Sequence, residues 1–118
     1  NIQVECAGRA LLTSIDRVSL IISEKLKSPL RCVFGDGVVD ITTKTAIGDA
    51  ADQCPIEGDG QGLEIGFNNK YLKDALKAAP AERLRLEFTS GVAPCVILPA
   101  EGEENFIYMV LPVRLKAS

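Results

Sequence analysis

The sequence predicts an α+β domain in which two helices pack on antiparallel sheets. Two segments show the three- and four-residue spacing of helices, and shorter apolar runs bounded by glycine or proline are typical of strands. The predicted order is β-α-β-β-β-β-α-β-β-β, and its two halves are alike, which indicates an internal pseudo-repeat. With 118 residues, of which 47% are hydrophobic, the chain is long enough for one domain with a single core.

The first half begins with a strand over residues 2–6 and continues into a helix. The apolar residues at helical spacing are Leu11, Ile15, Val18 and Ile22. This periodicity predicts a helix over residues 9–22 with one face in the core.

A glycine-rich turn then predicts a hairpin. Residues 30–34 and 38–42 are strand-like and flank Gly35-Asp36-Gly37. The same turn suggests a phosphate-binding loop, but no helix follows it and no Lys-Ser or Lys-Thr pair closes it, so a turn is favoured. Residues 45–55 form a weaker predicted strand, and Glu-Gly-Asp-Gly at residues 57–60 predicts another turn.

The second half opens with a strand over residues 63–67 and a helix that Asn68 caps. Phe67 before the cap and Leu72 at the fourth helical position suit a hydrophobic staple. The helix is predicted to end near Ala79, just before a proline. Its buried face comprises Leu72, Ala75, Leu76 and Ala79.

Three lysines follow the opposite face of this second helix. Lys70, Lys73 and Lys77 are three and four residues apart, which aligns them on one stripe. Taken alone, such a stripe indicates a solvated surface. The net charge of −3 and the pI near 4.9 argue against a protein that binds nucleic acid through its bulk charge, so any phosphate contact must be local.

Three further strands are predicted at residues 84–89, 94–98 and 106–111. An acidic loop at residues 101–104 lies between the last two. Its carboxylates suggest a metal site, but without fixed oxygen geometry a solvated loop is favoured.

The last predicted strand is apolar and runs into Pro112. Proline supplies no backbone donor, so the ladder is interrupted there and the end of the strand is partly unpaired. Apolar edges of this kind are ordinarily covered or charged, which prevents aggregation. The pattern therefore predicts an exposed apolar edge and raises the question of what covers it.

The composition excludes several classes of enzyme. The chain has no histidine, so it has no Ser-His-Asp triad, Cys-His pair or imidazole metal site. Its four cysteines, Cys6, Cys32, Cys54 and Cys95, are widely spaced and form no Cys-x-x-Cys motif, which disfavours a zinc site or a redox pair. We therefore expect buried reduced thiols, no metal and no cofactor.

Targeting signals are also missing from the sequence. It contains no apolar run of ~18 residues and no basic-then-apolar amino terminus, so a cytoplasmic protein without membrane contact is expected. The chain opens at Asn1 without an initiator methionine, which suggests a fragment of a longer protein.

Two long segments resemble a known family. They are Glu-Ile-Gly-Phe-Asn-Asn-Lys-Tyr-Leu-Lys-Asp-Ala-Leu at residues 64–76 and Ile-Tyr-Met-Val-Leu-Pro-Val-Arg-Leu at residues 107–115. With these segments the chain resembles, over essentially its whole length, the carboxy-terminal domain of the bacterial sliding clamp, the β subunit of DNA polymerase III. The resemblance implies that residues 1–118 form a single domain with the DNA clamp fold, the third of three such domains in each subunit.

The family implies a ring without catalytic activity of its own. Two subunits close head to tail as a homodimer that encircles duplex DNA without sequence preference and acts as a processivity factor. A tethered polymerase stays at its template because effective concentration replaces affinity. The cations that would face DNA are Arg9, Arg17, Lys70, Lys73 and Lys77.

The family also implies a hydrophobic groove between the second and third domains. Short linear peptides from the replicative polymerase, the clamp loader and repair proteins dock there. Carried over by position, the third-domain wall comprises Leu26, Asn68, Tyr71, Val92, Pro94, Met109, Val110, Leu111, Pro112, Val113, Arg114 and Leu115. The subunit interface would comprise Leu20, Ile21, Asp49 and Asp52.

The sequence departs from the family in two respects. The preceding domain, which completes the groove, is absent, so this chain alone should bind peptides weakly. The acidic interface strand is reduced to Asp49 and Asp52, so the apolar contact is favoured over ion pairs. Two alternatives stay open: an enzyme that uses Asp36, Asp40 or residues 101–104, and a stand-alone peptide-binding adaptor that never encircles DNA.

Overall fold

The computed structural model describes residues 1–22, 28–79, 82–100 and 106–115. Within these ranges the strands are Ile2–Ala7 (β1), Leu30–Thr45 (β2), Gly48–Phe67 (β3), Arg83–Phe88 (β4), Cys95–Pro99 (β5) and Tyr108–Val110 (β6). The helices are Gly8–Ser19 (α1) and Asn69–Ala78 (α2). The strands form one antiparallel sheet in the order β2-β3-β1-β4-β5-β6, which confirms the predicted α+β class.

Strand β2 doubles back on itself at its glycine-rich centre. The Thr43 hydroxyl donates to the Pro29 carbonyl oxygen at 3.0 Å, although the two residues are 14 positions apart. A straight strand of that length would separate them by about 45 Å, since each residue adds about 3.3 Å. The two arms of β2 therefore lie side by side, with Gly37, at a φ of +79°, in the bend. The predicted hairpin turn at residues 35–37 is confirmed.

Strand β3 pairs with β2 in two sections. Residues 48–55 pair with residues 38–45, and residues 63–67 pair with residues 30–34. Because the two arms of β2 lie side by side, the two sections of β3 lie on opposite sides of the β2 hairpin. Strands β2 and β3 thus each supply two of the predicted strands, and the predicted order β-α-β-β-β-β-α-β-β-β is confirmed.

The segment between the two sections of β3 differs from the prediction. Residues 57–60 are predicted as a turn, but they stay within β3, and Glu57 pairs with Glu5 of β1. Gly58 adopts a φ of +106°, which lets the chain bend without leaving the sheet. The turn prediction is wrong because residue 57 pairs with β1, which is distant in sequence, and the composition near residue 57 does not indicate that pairing.

The core lies between the curled sheet and the two helices. Ile15 of α1, Ile65 of β3 and Ile97 of β5 are fully buried. The ring centroids of Phe34 and Phe88 are 4.7 Å apart, which joins the β2 hairpin to β4. The two halves of the chain therefore share one core.

All four cysteines are free and buried. Burial raises the pKa of Cys6 and that of Cys32 to about 12 each. Burial also raises the pKa of Cys54 and that of Cys95. Such thiols stay protonated near neutral pH and are poor nucleophiles. The prediction of buried reduced thiols is confirmed.

The two helices begin in different ways. At α1 the N–H of Gly8 donates to the carbonyl oxygen of Glu82 at 3.0 Å, and no side chain caps the helix. At α2 the Oδ1 atom of Asn68 accepts from the N–H groups of Lys70 at 2.9 Å and Tyr71 at 3.2 Å. The predicted asparagine cap is therefore confirmed.

Helix α1 ends at Ser19, three residues before its predicted end at residue 22. Its last turn is tighter than an α-helix, since the N–H of Leu20 donates to the carbonyl of Arg17 at 3.4 Å. The apolar periodicity continues beyond this turn, which is why the sequence predicts a longer helix. No helix in the described ranges is long and apolar enough to cross a membrane.

Candidate functional site

The carboxy-terminal segment, residues 111–115, lies against the end of β3. The N–H of Val113 donates to the carbonyl oxygen of Gly66 at 2.8 Å and forms an isolated antiparallel bridge. Gly66 is buried, and a Cβ atom added to it would lie 2.6 Å from Leu115 Cδ2 and 2.8 Å from the Val113 carbonyl oxygen. This approach requires a residue without a side chain on β3.

A second segment borders the same section of β3. Gly91 lies in the turn between β4 and β5, and a Cβ atom on it would overlap the carbonyl oxygen of Glu64. Val92, the next residue, is 86% exposed, and Pro94 is half-buried. The turn that carries Val92 and Pro94 is therefore held beside the section that carries Gly66.

The start of α2 is the third element at this place. Asn68, its cap, follows Gly66 by two residues, and Tyr71 lies in the first turn of the helix. Tyr71 is 65% exposed although the adjacent Leu72 is 4% exposed. An exposed tyrosine on a fixed helical turn has the apolar ring and polar tip that protein interfaces use.

Strand β6 and the residues after it expose further apolar side chains. Met109 is 64% exposed and Leu111 is 71% exposed, whereas Val110 between them is 4% exposed and belongs to the core. The Tyr108 hydroxyl donates to the Ala78 carbonyl oxygen at 3.2 Å, which ties β6 to the end of α2. Among the described residues β6 pairs only with β5. The prediction of an exposed apolar edge is confirmed, except that the Val110 side chain lies in the core.

The structure thus brings the segments that carry most of the predicted groove residues to one end of β3. The groove wall comprises Asn68, Tyr71, Val92, Pro94 and residues 109–115, of which Val110 is buried in the core. Leu26, the remaining predicted member, lies outside the described residues. Sequence reasoning did not single out Gly66 and Gly91, on which the close approaches depend. A glycine within or beside an apolar strand is the signal that marks them.

Two of the five cations predicted to face DNA form ion pairs within the domain. Arg17 Nη1 lies 3.2 Å from Asp52 Oδ2, and Lys73 Nζ lies 3.5 Å from Asp16 Oδ1, which links α2 to α1. In each pair one side chain is exposed and the other is half-buried. Surface pairs of this kind add little stability, so they leave the cations able to contact a phosphate instead. The other three of the five, Arg9, Lys70 and Lys77, are exposed and form no ion pair within the described part of the chain.

The predicted interface residues lie on two neighbouring elements. Leu20 is 84% exposed at the end of α1, and Ile21 is half-buried. Asp49 and Asp52 lie on the section of β3 over residues 48–55, which pairs with β2 on one side. Its other side has no strand partner among the described residues, since β1 meets β3 further along the chain.

Asp52 is held as a carboxylate by contacts within the domain. Its Oδ1 atom accepts a hydrogen bond from the backbone N–H of Gln53 at 2.9 Å. This bond and the Arg17 guanidinium hold the pKa of Asp52 below its ordinary value. The Arg17 contact also brings α1 next to the strand that carries Asp49 and Asp52.

The hairpin between β2 and β3 exposes an apolar residue that the sequence pattern did not single out. Ile47 is 75% exposed at its tip. The Thr45 hydroxyl donates to the Gly48 carbonyl oxygen at 2.9 Å and accepts from the Ile47 N–H at 3.2 Å, so a side chain fixes this turn. An apolar residue next to a glycine in a turn is the sequence signal for it.

The carboxylates named in the alternative hypothesis of an enzyme do not form a site among the described residues. Asp40 Oδ1 accepts from Gln53 Nε2 at 2.6 Å, and Asp36 pairs with Asp59 across β2 and β3. Within the described ranges no group of three or more His, Cys, Asp or Glu residues is placed to hold a metal ion. Residues 101–104 lie outside those ranges.

Known proteins resemble this chain in sequence. The family model described as "DNA polymerase III beta subunit, C-terminal domain" matches residues 1–114. The beta sliding clamp of Staphylococcus aureus is 32% identical over 103 residues, which cover 86% of this chain and 27% of that protein.

Solved structures resemble it as well. A putative DNA polymerase III beta subunit from Eubacterium rectale is 36% identical, with a TM-score of 0.86 over 94% of this chain and 30% of that one. The beta subunit from Thermotoga maritima is 28% identical, with a TM-score of 0.87 over 97% of this chain and 31% of that one. The chain thus spans less than a third of each of these three proteins. The predicted clamp fold, two helices on a curled antiparallel sheet, is confirmed.

Proposed function

Because this chain belongs to the family of the DNA polymerase III β subunit and matches its carboxy-terminal domain, we propose that it is the third domain of a three-domain sliding clamp. The whole protein would be a ring-shaped homodimer that encircles duplex DNA and acts as a processivity factor in the cytoplasm. It would have no catalytic role of its own and need no cofactor, since the synthesis of DNA belongs to the polymerase that it tethers. Its advantage is topological, because a tethered polymerase rebinds its template at high effective concentration.

The groove wall carries this proposal. Exposed Tyr71, Val92, Met109 and Leu111 lie on three segments that meet at one end of β3. An exposed apolar surface of this kind marks a protein contact, and anchors of a short peptide fit the spaces between such side chains. The partners would be the replicative polymerase, the clamp loader and repair proteins, each through a short linear peptide.

The cations of the two helices would guide duplex DNA through the ring. Arg9, Lys70 and Lys77 are exposed and unpaired within the described ranges, while Arg17 and Lys73 have aspartate partners in the domain. A few positive charges near phosphates position a duplex without reading its sequence. The remaining acidic surface would keep DNA away from the outside of the ring.

The unpaired section of β3 and the end of α1 would form the contact between subunits. Leu20 and Ile21 would supply its apolar part, and Asp49 and Asp52 its acidic edge. Asp52 already has a partner in Arg17, which supports the view that apolar burial contributes more to this contact than new ion pairs.

Peptide binding tests the groove wall. A labelled peptide carrying the clamp-binding segment of a replicative polymerase is titrated into the full-length protein, into Tyr71→Ala and into a version truncated after Val110. Both variants should bind at least about tenfold more weakly, which is the loss expected when an interface anchor is removed. Equal binding by all three proteins would refute the assignment of the groove wall.

Retention on DNA tests the ring. The full-length protein, loaded onto circular duplex DNA, should remain bound at moderate salt and slide off when the circle is linearised. Release that depends on salt alone, whatever the topology of the DNA, would indicate ordinary electrostatic binding. That result, together with intact peptide binding, would favour the stand-alone adaptor instead.

A further inference from the structure

Gly66 allows the carboxy-terminal segment to lie against β3. A methyl group at this position would lie 2.6 Å from Cδ2 and 2.8 Å from Cγ of Leu115, and 2.8 Å from the carbonyl oxygen of Val113. Real side chains essentially never show such short contacts, so either β3 or the segment must move. Which of the two moves depends on how firmly each is held.

The carboxy-terminal segment is held more weakly than β3. The ladder of β6 ends at Val110, and the next pairing with the sheet is the isolated bridge between Val113 and Gly66. Pro112 lies between them and has no N–H to donate. Gly66 itself lies inside a paired strand section, where Arg31 of β2 is its partner on the other side. A side chain at residue 66 should therefore displace the segment and leave β3 in place.

We propose that Gly66 is a positioning residue for the groove wall. It determines where Val113 and Leu115 lie relative to Tyr71, and thereby the shape of the surface that receives a partner peptide. Gly66 acts through the segment that lies on it and needs no contact with the peptide. The inference rests on the proposed function, because it assumes that the groove wall binds peptides.

The affinity of the full-length protein for the labelled polymerase-derived peptide tests this role. Gly66→Ala should raise the Kd at least about tenfold, as the loss of an interface anchor does. The matched control is Gly60→Ala. Gly60 lies in β3, as Gly66 does, but outside the groove wall, and the added methyl group would meet Phe34 of β2. The control should lower the unfolding midpoint while the folded protein keeps its affinity. Wild-type affinity in Gly66→Ala would overturn the proposal.

A truncation after Pro112 separates positioning from a general defect in β3. In that background Val113 and Leu115 are gone, so Gly66→Ala should change the Kd by less than about twofold. An equal loss with and without the truncation would overturn the proposal, because the effect would then pass through β3.

A second variant keeps the test decisive if Gly66→Ala does not fold. Val113→Pro removes the N–H group that donates a hydrogen bond to the Gly66 carbonyl oxygen, and it leaves the sequence of β3 unchanged. It should also raise the Kd, and wild-type affinity would overturn the proposal. If the unmodified protein binds no peptide at all, the proposed function fails first, and the role of Gly66 fails with it.

Discussion

The two halves of the domain share one architecture and differ in how their crossing segments end. Each half has a strand, a helix and three strand sections, followed by a segment that crosses to the first strand of the same half. In the first half Glu57 meets Glu5, and in the second half Val113 meets Gly66. After Glu57 the chain continues into a paired strand section, whereas after Val113 it lies on a glycine without a further ladder in the described residues.

The exposed apolar residues follow this difference. Among the described residues, the exposed large apolar side chains are Leu20 and Ile47 in the first half, and Tyr71, Val92, Ile107, Met109 and Leu111 in the second half. The buried residues of both halves meet in one core. The fold is thus set by a pattern that the halves share, and the proposed peptide site by residues that the fold leaves exposed.

Removing a core ring that joins the halves should have the largest effect. Phe88→Ala removes the contact with Phe34 and leaves a cavity, so the free energy of unfolding should fall by about 3–5 kcal/mol. Urea unfolding of the 118-residue chain, followed by circular dichroism and by the labelling of its buried thiols, measures this loss. Both probes should report one transition, because the halves share their core.

The matched control for the core variant is Met109→Ala on the exposed edge. It should change the free energy of unfolding by less than about 0.5 kcal/mol, since an exposed side chain contributes little to folding. Two separate transitions in Phe88→Ala, one for each half, would contradict the view that the halves fold as a unit.

Charge reversal on α2 should separate electrostatic contact with DNA from peptide binding. Replacement of Lys70, Lys73 and Lys77 by glutamate should lower the slope of log affinity against log salt by up to about 3, roughly one for each lost phosphate contact. Equilibrium binding of the full-length protein to short linear duplex DNA, over a series of salt concentrations, gives this slope. The peptide affinity should stay unchanged. Lys44→Glu, on β2, is the control. An equal effect from this variant would mean that net charge alone determines the salt dependence of DNA binding.

The observed strands are fewer than the predicted ones, but β2 and β3 each contain two predicted strands, so the sequence predicts most of the fold. Glycine chemistry at residues 35–37 and the asparagine at residue 68 act locally, so composition and spacing were enough to find the hairpin turn and the helix cap. The pairing of Glu57 with Glu5 joins segments about fifty positions apart, and nothing near residue 57 reports it. The predicted end of α1 at residue 22 differs from the observed end at Ser19 because apolar residues at helical spacing continue beyond the last helical residue.

Less of the candidate site than of the fold can be predicted from the spacing of residues along the chain. The groove residues came from the resemblance to a family, because spacing along the chain cannot show that residues 92, 68 and 113 meet at one end of β3. Gly66 carried a visible signal, a glycine in an apolar strand, but only the structure shows what approaches it.

The different starts of the two helices predict a moderate loss of stability. Asn68→Ala removes the side-chain cap of α2 and should lower the free energy of unfolding by about 1 kcal/mol. The neighbouring Asn69→Ala is the matched control and should be neutral or slightly stabilising, since alanine favours a helix. Thermal and urea unfolding of the 118-residue chain measure both. Equal losses in the two variants would mean that the cap does not hold α2.

The smallest predicted effect concerns Asp52 in the first half, and it depends on pH. The Gln53 N–H and Arg17 favour the carboxylate and lower its pKa in the folded chain, so its contribution to stability is present above its ordinary value of 3.8. That contribution is lost as the pH falls through the lowered pKa. Asp52→Asn should therefore be slightly less stable than the parent chain at pH 7, and the difference should shrink toward zero in acid. Urea midpoints of the parent chain and of Asp52→Asn are compared between pH 7 and pH 3. A constant difference for Asp52→Asn across that range would mean that Arg17 and Gln53 do not stabilise the charged form.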